Sequence, residues 1–225
     1  MSPLIKRITQ LLILVVIQAA LLFLSAGSLK WTPGWWYIGL YVLMLFLASF
    51  IMIPKRPEVI AERSSGTSGG RRWDLRVTRL MSIPTLGLLV LAGFDHRWNW
   101  TAPLPLWLRI AGATAFIFGY IIVLWAMFCN PYFSQVVRIQ KERGHVAVTG
   151  GPYRLVRHPG YLGMTSSMLG SVFILDSILG LICFALYLAL ILYRTSMEDR
   201  TLRNELEGYA EYAAKTRYRL IPGVW

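Results

Sequence analysis

Residues 106–128 of the chain read LWLRIAGATAFIFGYIIVLWAMF, and Arg109 is the only charged side chain among them. A helix needs about 20 consecutive, mostly apolar residues to cross a membrane, because each residue advances the helix by ~1.5 Å and the hydrocarbon layer is ~30 Å thick. These residues are therefore predicted to form a transmembrane helix.

Further apolar runs lie on both sides of this span. Runs of adequate length are residues 11–29 and 35–53, and a shorter run, residues 80–94, contains Pro84. Pro54 is expected to end the second span, and a polar loop is predicted from there to Arg79. Residues 161–175 and 177–193 form a close pair around Asp176, and each is near the lower limit for spanning.

These runs predict an all-α, polytopic integral membrane bundle of five to six spans. The last two spans would form a short hairpin, followed by an amphipathic cytoplasmic helix. The first run is too long for a cleavable signal peptide, has no clear cleavage site and is followed by further spans.

Composition and charge agree with a membrane protein. The chain is 56% hydrophobic with a mean hydropathy of +0.51, and it carries a formal charge of +12. A single soluble core cannot hide so much apolar surface.

In a six-span layout, all but three of the 23 Lys and Arg residues fall on one side, the exceptions being Lys30, Arg97 and Arg109. This asymmetry predicts that both termini are cytoplasmic and that the basic face meets anionic lipid headgroups rather than nucleic acid.

Several classes of site are not indicated. Cys129 and Cys183 lie within or beside apolar runs, so we interpret them as packing residues rather than disulfide partners or metal ligands. The chain has no glycine-rich phosphate loop after a strand and no His-Glu-x-x-His motif. These features argue against a metal site and a soluble dinucleotide-binding fold. Asp95 and His96 are interpreted as a structural pair in a loop.

A dense polar cluster, residues 151–163, precedes the hairpin and reads GPYRLVRHPGYLG. Pro159 is typical of a first helical position, so a helix is predicted to start after His158, where free backbone N–H groups can receive an anion such as a carboxylate. Taken singly, Arg154 and Arg157 could instead reach lipid phosphates, and Tyr153 could be an interfacial aromatic residue. The joint clustering of these side chains favours a functional site.

The segment after Tyr193 is predicted to continue as an amphipathic helix. Its apolar stripe consists of Leu202, Leu206, Tyr209 and Ala213. Glu198 lies at the edge of that stripe, where a carboxylate is unexpected unless it binds something. The alternative is an ordinary ion pair with Arg194, one helical turn earlier.

Together these motifs resemble the isoprenylcysteine carboxyl methyltransferase family, which is related to the phospholipid methyltransferases. The resemblance is carried by Gly151-Pro152-Tyr153, Arg157-His158-Pro159-x-Tyr161-x-Gly163, Glu198-Asp199, Tyr209-x-x-Tyr212 and Arg219-Leu220-Ile221-Pro222. It is strong over residues 130–225 and weaker before them, and the chain looks like a prokaryotic member. It implies one membrane methyltransferase domain, with N-terminal spans in residues 1–129 and a catalytic half with the cofactor pocket in residues 130–225.

The resemblance also implies a cofactor and roles for individual residues. The cofactor would be S-adenosyl-L-methionine, lined by Tyr153, His158, Pro159, Tyr161 and Gly163. Glu198 and Asp199 would hold its polar groups, with Asn130 as a further candidate. The family usually has Glu where this chain has Asp199, which leaves the role of Asp199 open. Arg194 would face the methyl acceptor with help from Arg157, so the catalytic candidates are Arg194, Glu198 and Arg157.

The function predicted from these features is carboxyl O-methylation of an isoprenylcysteine-like or other lipophilic acceptor. A carboxylate acceptor needs no general base, whereas an amine or thiol would need one, for which Glu198 or His158 are candidates. The alternatives are a phospholipid N-methyltransferase, a thiol S-methyltransferase, or a non-enzymatic scaffold or transporter. A sterol-reductase-like protein would require a nicotinamide site that the sequence does not indicate. The predicted location is a prokaryotic inner membrane, with the active site on the cytoplasmic side.

Overall fold

The computed structural model describes residues 3–225, which form an α-helical bundle without β-strands. The helices are α1 (Pro3–Ala26), α2 (Thr32–Lys55), α3 (Pro57–Ser64), α4 (Arg72–Trp98), α5 (Leu106–Cys129), α6 (Pro159–Ile174), α7 (Gly180–Glu205) and α8 (Tyr209–Lys215). Two 3-10 turns, Lys141–Arg143 and Gly151–Arg154, lie in the segment between α5 and α6. The predicted all-α fold is confirmed.

Five of the described helices, α1, α2, α4, α5 and α7, are long and apolar enough to cross a membrane. Large apolar side chains on their outer faces are exposed, among them Val16, Leu24 and Phe46. This surface is suited to lipid rather than water. Helix α6 has 16 residues and runs back along α5 before α7 returns, as expected for the shorter arm of the hairpin.

The third span is longer than the predicted run of residues 80–94. Helix α4 starts at Arg72, passes through Pro84 and continues to Trp98, so the predicted polar loop to Arg79 is wrong. That loop also contains α3. The polar start of α4 is helical because it is anchored by tertiary contacts: Asp74 is fully buried and Val77 packs in the core. Pro84 lies inside α4, and prolines are tolerated in transmembrane helices because neighbouring helices support the backbone there.

Helices α5 and α6 approach closely because glycines face each other along their contact. A Cβ atom on Gly163 would lie 2.4 Å from the Gly119 carbonyl oxygen, and one on Gly170 would lie 2.5 Å from the Gly112 carbonyl oxygen. The Ser167 hydroxyl adds a hydrogen bond to the Phe116 carbonyl at 3.2 Å. Small residues and interhelical hydrogen bonds of this kind hold helices together in lipid, where the hydrophobic effect gives no driving force.

The C-terminal segment does not continue as the single amphipathic helix predicted. Helix α7 ends at Glu205, the chain turns at Gly208 with φ +74°, and α8 then begins. The predicted apolar residues are nevertheless gathered, because Leu206, Tyr209 and Ala213 are buried in one cluster with Tyr153. The turn folds the tail back over the end of the bundle.

At the opposite end of the bundle, Asp95 ties three segments together. It lies in the last turns of α4 rather than in a loop, and it is buried. Its carboxylate accepts hydrogen bonds from the Thr101 hydroxyl at 2.8 Å and the Ser177 hydroxyl at 2.5 Å. The predicted structural role of Asp95 is confirmed by these contacts.

Candidate active site

A polar cavity of about 230 Å³ lies where α6, α7, α8 and the segment between α5 and α6 meet. Most of the residues predicted from the sequence line it, namely Asn130, Tyr153, Arg157, His158, Pro159, Tyr161, Arg194 and Glu198. The cavity begins where α6 does, with His158 as the N-cap residue and Pro159 in the first helical position, as predicted. Gly163 and Asp199 do not line it.

Asp199 lies behind the cavity wall at the centre of a buried ion cluster. Its carboxylate, 1% exposed, accepts hydrogen bonds from Arg157 Nε at 2.7 Å, Tyr209 OH at 3.0 Å, Arg203 Nε at 3.0 Å and Arg219 Nε at 3.2 Å. His158 Nε2 lies 3.5 Å from the same carboxylate. Asp199 therefore has its hydrogen-bonding capacity used within the protein, and it positions the residues around it.

Arg157 connects this cluster to the C-terminal tail. Besides Asp199, its guanidinium donates to the Thr216 and Arg217 carbonyls, both at 2.8 Å. The side chain is 3% exposed and its donors are taken by protein acceptors. Arg157 thus closes the tail over the cavity, and little of it is left to contact a ligand.

Arg194 is likewise paired, with a partner that the sequence did not indicate. Its Nε donates to Asp74 Oδ1 at 2.7 Å, and its Nη2 donates to the Gln135 carbonyl at 2.8 Å. The guanidinium also lies over the Tyr161 ring, 5.2 Å from the centroid. Asp74 further accepts the Val137 N–H at 2.7 Å, so this pair joins α4, α7 and the cavity segment.

Glu198 differs from these charges because it forms no ion pair within 4 Å among the described residues. Its carboxylate accepts the Tyr161 hydroxyl, and Glu198 lines the cavity. The intrahelical pair with Arg194 does not form, since Arg194 is turned to Asp74. A carboxylate with spare acceptor capacity in a polar cavity is suited to a cationic or hydroxyl-bearing ligand.

Asn130 and Tyr153 shape another part of the cavity wall. Asn130 Nδ2 donates to the Tyr153 hydroxyl at 3.1 Å, and Asn130 Oδ1 accepts the Tyr132 N–H at 2.9 Å. The Tyr212 hydroxyl donates to the Tyr153 carbonyl at 2.7 Å. Burial is the main cause that raises the pKa of Tyr212 to about 12, so this hydroxyl is a neutral donor at pH 7.

Sequence reasoning missed the aromatic pair at the cavity edge. His145 and Tyr132 stack with ring centroids 4.3 Å apart, and both line the cavity. Burial, followed by the charges of Arg143 and Arg138, lowers the pKa of His145 to about 4, so its imidazole is neutral at pH 7. Flat, neutral rings of this kind can stack on a heterocyclic ligand.

Helix α3 contributes two further residues that were not predicted. Glu62 accepts Arg138 Nε at 3.0 Å and Nη2 at 2.7 Å, and it also accepts the Ser134 hydroxyl at 2.9 Å. Burial opposes ionisation of Glu62, but these hydrogen bonds outweigh it and hold the pKa of the carboxyl below its usual value. The next residue, Arg63, lines the cavity and lies over the Phe133 ring. The sequence signal was weak, because α3 sits in a segment that reads as a polar loop.

A second, mainly apolar cavity of about 360 Å³ lies within the bundle between α1, α2, α5 and α6. It is lined by side chains such as Leu11, Leu45 and Met168, with a few polar groups that include Gln18 and Tyr37. Among the residues that the structure describes, only Arg63 and Met164 line both this cavity and the polar cavity. The structure therefore places a water-compatible cavity next to a lipid-compatible one.

The fold and these cavities define an integral membrane protein with a polar site at one end of its helices. Comparison with known proteins adds that residues 107–207 match the family model described as phospholipid methyltransferase. A probable protein-S-isoprenylcysteine O-methyltransferase from Oryza sativa subsp. indica is 38% identical over 85 residues, covering 37% of this chain and 44% of that protein. The rat protein-S-isoprenylcysteine O-methyltransferase is 36% identical over 128 residues, covering 52% of this chain and 43% of that protein. The cobalt-zinc-cadmium resistance protein CzcN of Cupriavidus metallidurans is 34% identical over 129 residues, covering 55% and 53% respectively.

These matches agree with the resemblance found in the motifs: about half of the chain is similar to protein-S-isoprenylcysteine O-methyltransferases, and residues 107–207 are similar to phospholipid methyltransferases. The chain spans about half the length of the curated relatives it matches.

Proposed function

We propose that the protein is a membrane methyltransferase that uses S-adenosyl-L-methionine to methylate the carboxyl group of an isoprenylcysteine-like or other lipophilic acceptor. The observation that carries the proposal is the junction of a polar and an apolar cavity at Arg63 and Met164. A water-soluble donor and a lipid-soluble acceptor can each enter from their own phase and meet there. One domain would then contain the acceptor cavity in its N-terminal spans and most of the donor site in residues 130–225.

The chemistry of the polar cavity fits this donor. The donor carries ammonium and hydroxyl groups that need acceptors, a heterocycle that can stack, and a sulfonium. Glu198 would accept its polar groups and Tyr161 would orient Glu198. The wall formed by Asn130, Tyr153, His158 and Pro159 would enclose it. When bound, the donor supplies an electrophilic methyl group, which a carboxylate oxygen can accept without loss of a proton as the donor becomes a neutral thioether.

The chain's own residues would contribute alignment and exclusion of water. Arg157 and Arg194 hold the walls through Asp199 and Asp74, so the cavity is organised before any ligand binds. Because a carboxylate acceptor is already ionised, no residue has to act as a general base. In this arrangement Gly163 acts through helix packing, since its Cβ position faces the Gly119 carbonyl rather than the cavity.

Orientation in the membrane follows from the basic residues. They concentrate at the end of the bundle that holds the polar cavity, so we place this end and both described termini in the cytoplasm. The donor would then be drawn from the cytosol. The amine acceptor of a phospholipid methyltransferase is the second candidate, favoured by the family model that matches residues 107–207.

Donor binding is tested by calorimetry of the detergent-solubilised chain with S-adenosylhomocysteine, the demethylated product. Glu198→Gln should weaken binding on the order of 10-fold, since a hydrogen bond to a charged group contributes ~1.5–3 kcal/mol and ~1.4 kcal/mol is a factor of ten. Glu207→Gln is the matched control, because Glu207 is exposed on the turn after α7. Folded wild-type protein that binds neither donor nor product would refute the proposal and favour a scaffold or transporter.

The acceptor class is tested by incubating membranes with donor labelled on its methyl group. A labelled, base-labile ester in the lipid extract is expected. A labelled phospholipid amine or thioether would instead support one of the alternative methyltransferases.

A further inference from the structure

Arg63 stands apart from the other arginines of the site because it has no carboxylate partner among the described residues. Arg138, Arg157 and Arg194 are each paired with a buried or half-buried acid. The side-chain contact found for Arg63 is with the Phe133 ring, whose centroid lies 5.7 Å from its guanidinium carbon. Its donors are therefore free for a ligand.

The guanidinium of Arg63 remains a cation in spite of its surroundings. Burial, followed by the positive charge of Arg7, lowers the pKa of Arg63 to about 10, which leaves the group protonated at pH 7. The same surroundings place it near the Tyr41 and Tyr120 hydroxyls, which line the apolar cavity. Arg63 is half-buried, and a cation withdrawn from water without a counter-ion is costly, so an anion that reaches this position gains affinity.

The position of Arg63 is fixed by its neighbours in the fold. Gln135 Nε2 donates to the Arg63 carbonyl at 2.7 Å, and the preceding Glu62 is clamped by Arg138. Glu62 is thereby used by Arg138 and Ser134 and does not neutralise Arg63. The backbone on both sides is held while the guanidinium remains available.

The charges that line the apolar cavity also favour an anionic ligand. Its charged lining residues are Arg7 and Arg63, and no Asp or Glu lines it among the described residues. An acceptor with a cationic amine would therefore meet two positive charges in the cavity lining, whereas a carboxylate would be attracted.

We propose that Arg63 binds the carboxylate of the lipid acceptor and makes the site selective for carboxylates over amines. This inference rests on the proposed function, and it assigns the acceptor contact to Arg63 rather than to Arg194, whose Nε and Nη2 are occupied by Asp74 and the Gln135 carbonyl. The lipid chain would extend from Arg63 into the apolar cavity. The reacting carboxylate would lie between Arg63 and Met164, at the boundary with the polar cavity.

The test measures acceptor binding without any methyl donor, so that it does not depend on turnover. The probes are N-acetyl-S-farnesyl-cysteine, which has a carboxylate, and S-farnesyl-cysteamine, which has an amine and the same lipid chain. Their dissociation constants are measured by equilibrium dialysis at one fixed detergent concentration. Wild-type protein should prefer the carboxylate by on the order of 10-fold or more, as expected for a charge-assisted hydrogen bond.

Arg63→Gln should abolish this preference, and Arg63→Lys should restore part of it because the charge is kept but the planar fork is lost. Arg56→Gln is the matched control. Arg56 also lies over a phenylalanine ring, that of Phe128, but it is paired with Glu58 and lines neither cavity. This variant should keep the wild-type preference.

The outcomes separate the inference from the proposed function. The inference is overturned if wild-type protein shows no preference, or if Arg63→Gln weakens both probes equally or neither. S-adenosylhomocysteine binding, measured on the same preparations, reports on the donor site alone. Loss of that binding in wild-type protein would refute the proposed methyltransferase while leaving the probe result for Arg63 intact.

Discussion

The ion pair between Asp74 and Arg194 should be a sensitive contact behind the cavity. Asp74 is fully buried and the Arg194 side chain is 8% exposed, so water cannot replace either partner. Asp74→Asn removes the negative charge but keeps the shape of the side chain. It leaves the Arg194 cation buried without a counter-ion.

Breaking a buried pair in this way costs about 3–5 kcal/mol. For a chain of this size each kcal/mol lowers Tm by about 2–4 °C, so the expected fall in Tm is on the order of 10 °C. The S-adenosylhomocysteine affinity should fall too, because the same pair holds the cavity segment through Val137 and Gln135.

The assay is thermal unfolding of the solubilised protein followed by intrinsic tryptophan fluorescence at a constant heating rate. The double variant Asp74→Asn with Arg194→Met removes both charges and should recover much of the loss, since the cost lies in the unpaired charge. Glu142→Gln is the control, because its exposed pair with Arg138 is screened by water and should contribute little. Strictly additive effects of the two single substitutions would refute this account of Asp74.

Two further predictions concern helix packing and pH. Gly163→Ala should lower Tm because the added Cβ would lie 2.4 Å from the Gly119 carbonyl oxygen. Gly39→Ala is the control: no atom lies within 4 Å of its Cβ position, so Tm should stay unchanged or rise. Equal effects of the two substitutions would contradict the proposed packing role of Gly163. Because the folded protein keeps His145 neutral down to about pH 4 while an unfolded histidine protonates near 6.5, stability should fall as the pH drops through this window. His145→Phe, which preserves a ring against Tyr132, should flatten that part of the Tm–pH profile, and an unchanged profile would show that another group titrates there.

The spans were the most predictable part of the fold. The run 106–128 became α5 almost residue for residue, because one charge in an otherwise apolar segment leaves few alternatives in lipid. The start of α4 was not predictable, since Asp74 and its basic neighbours look like a solvated loop until Arg194 is placed against them. The helical spacing of apolar residues did not predict the turn at Gly208, because the same apolar residues also pack together when a turn separates them.

The residues of the candidate site could be predicted from the sequence, but most of their hydrogen-bond and ion-pair partners could not. Glu198 and Tyr161 were both singled out from the sequence, and they meet in the cavity. Arg157 was singled out as well, but its guanidinium turned out to be occupied by Asp199 and by carbonyls of the tail. Arg63 was overlooked, because a single arginine in a polar segment carries no signal of its own.

The sequence by itself determined that the chain is a helical membrane protein, where most of its spans lie and which end of the bundle is basic. These properties depend on hydropathy and charge, which are local sums along the chain. Only the tertiary structure decided which charges are paired and which remain available. Asp74 and Arg194 are 120 residues apart, and Asp199 and Arg157 are 42 apart. Ion pairing depends on distance and burial in three dimensions, so it was the packing of the helices that left Glu198 and Arg63 without an ion-pair partner among the described residues.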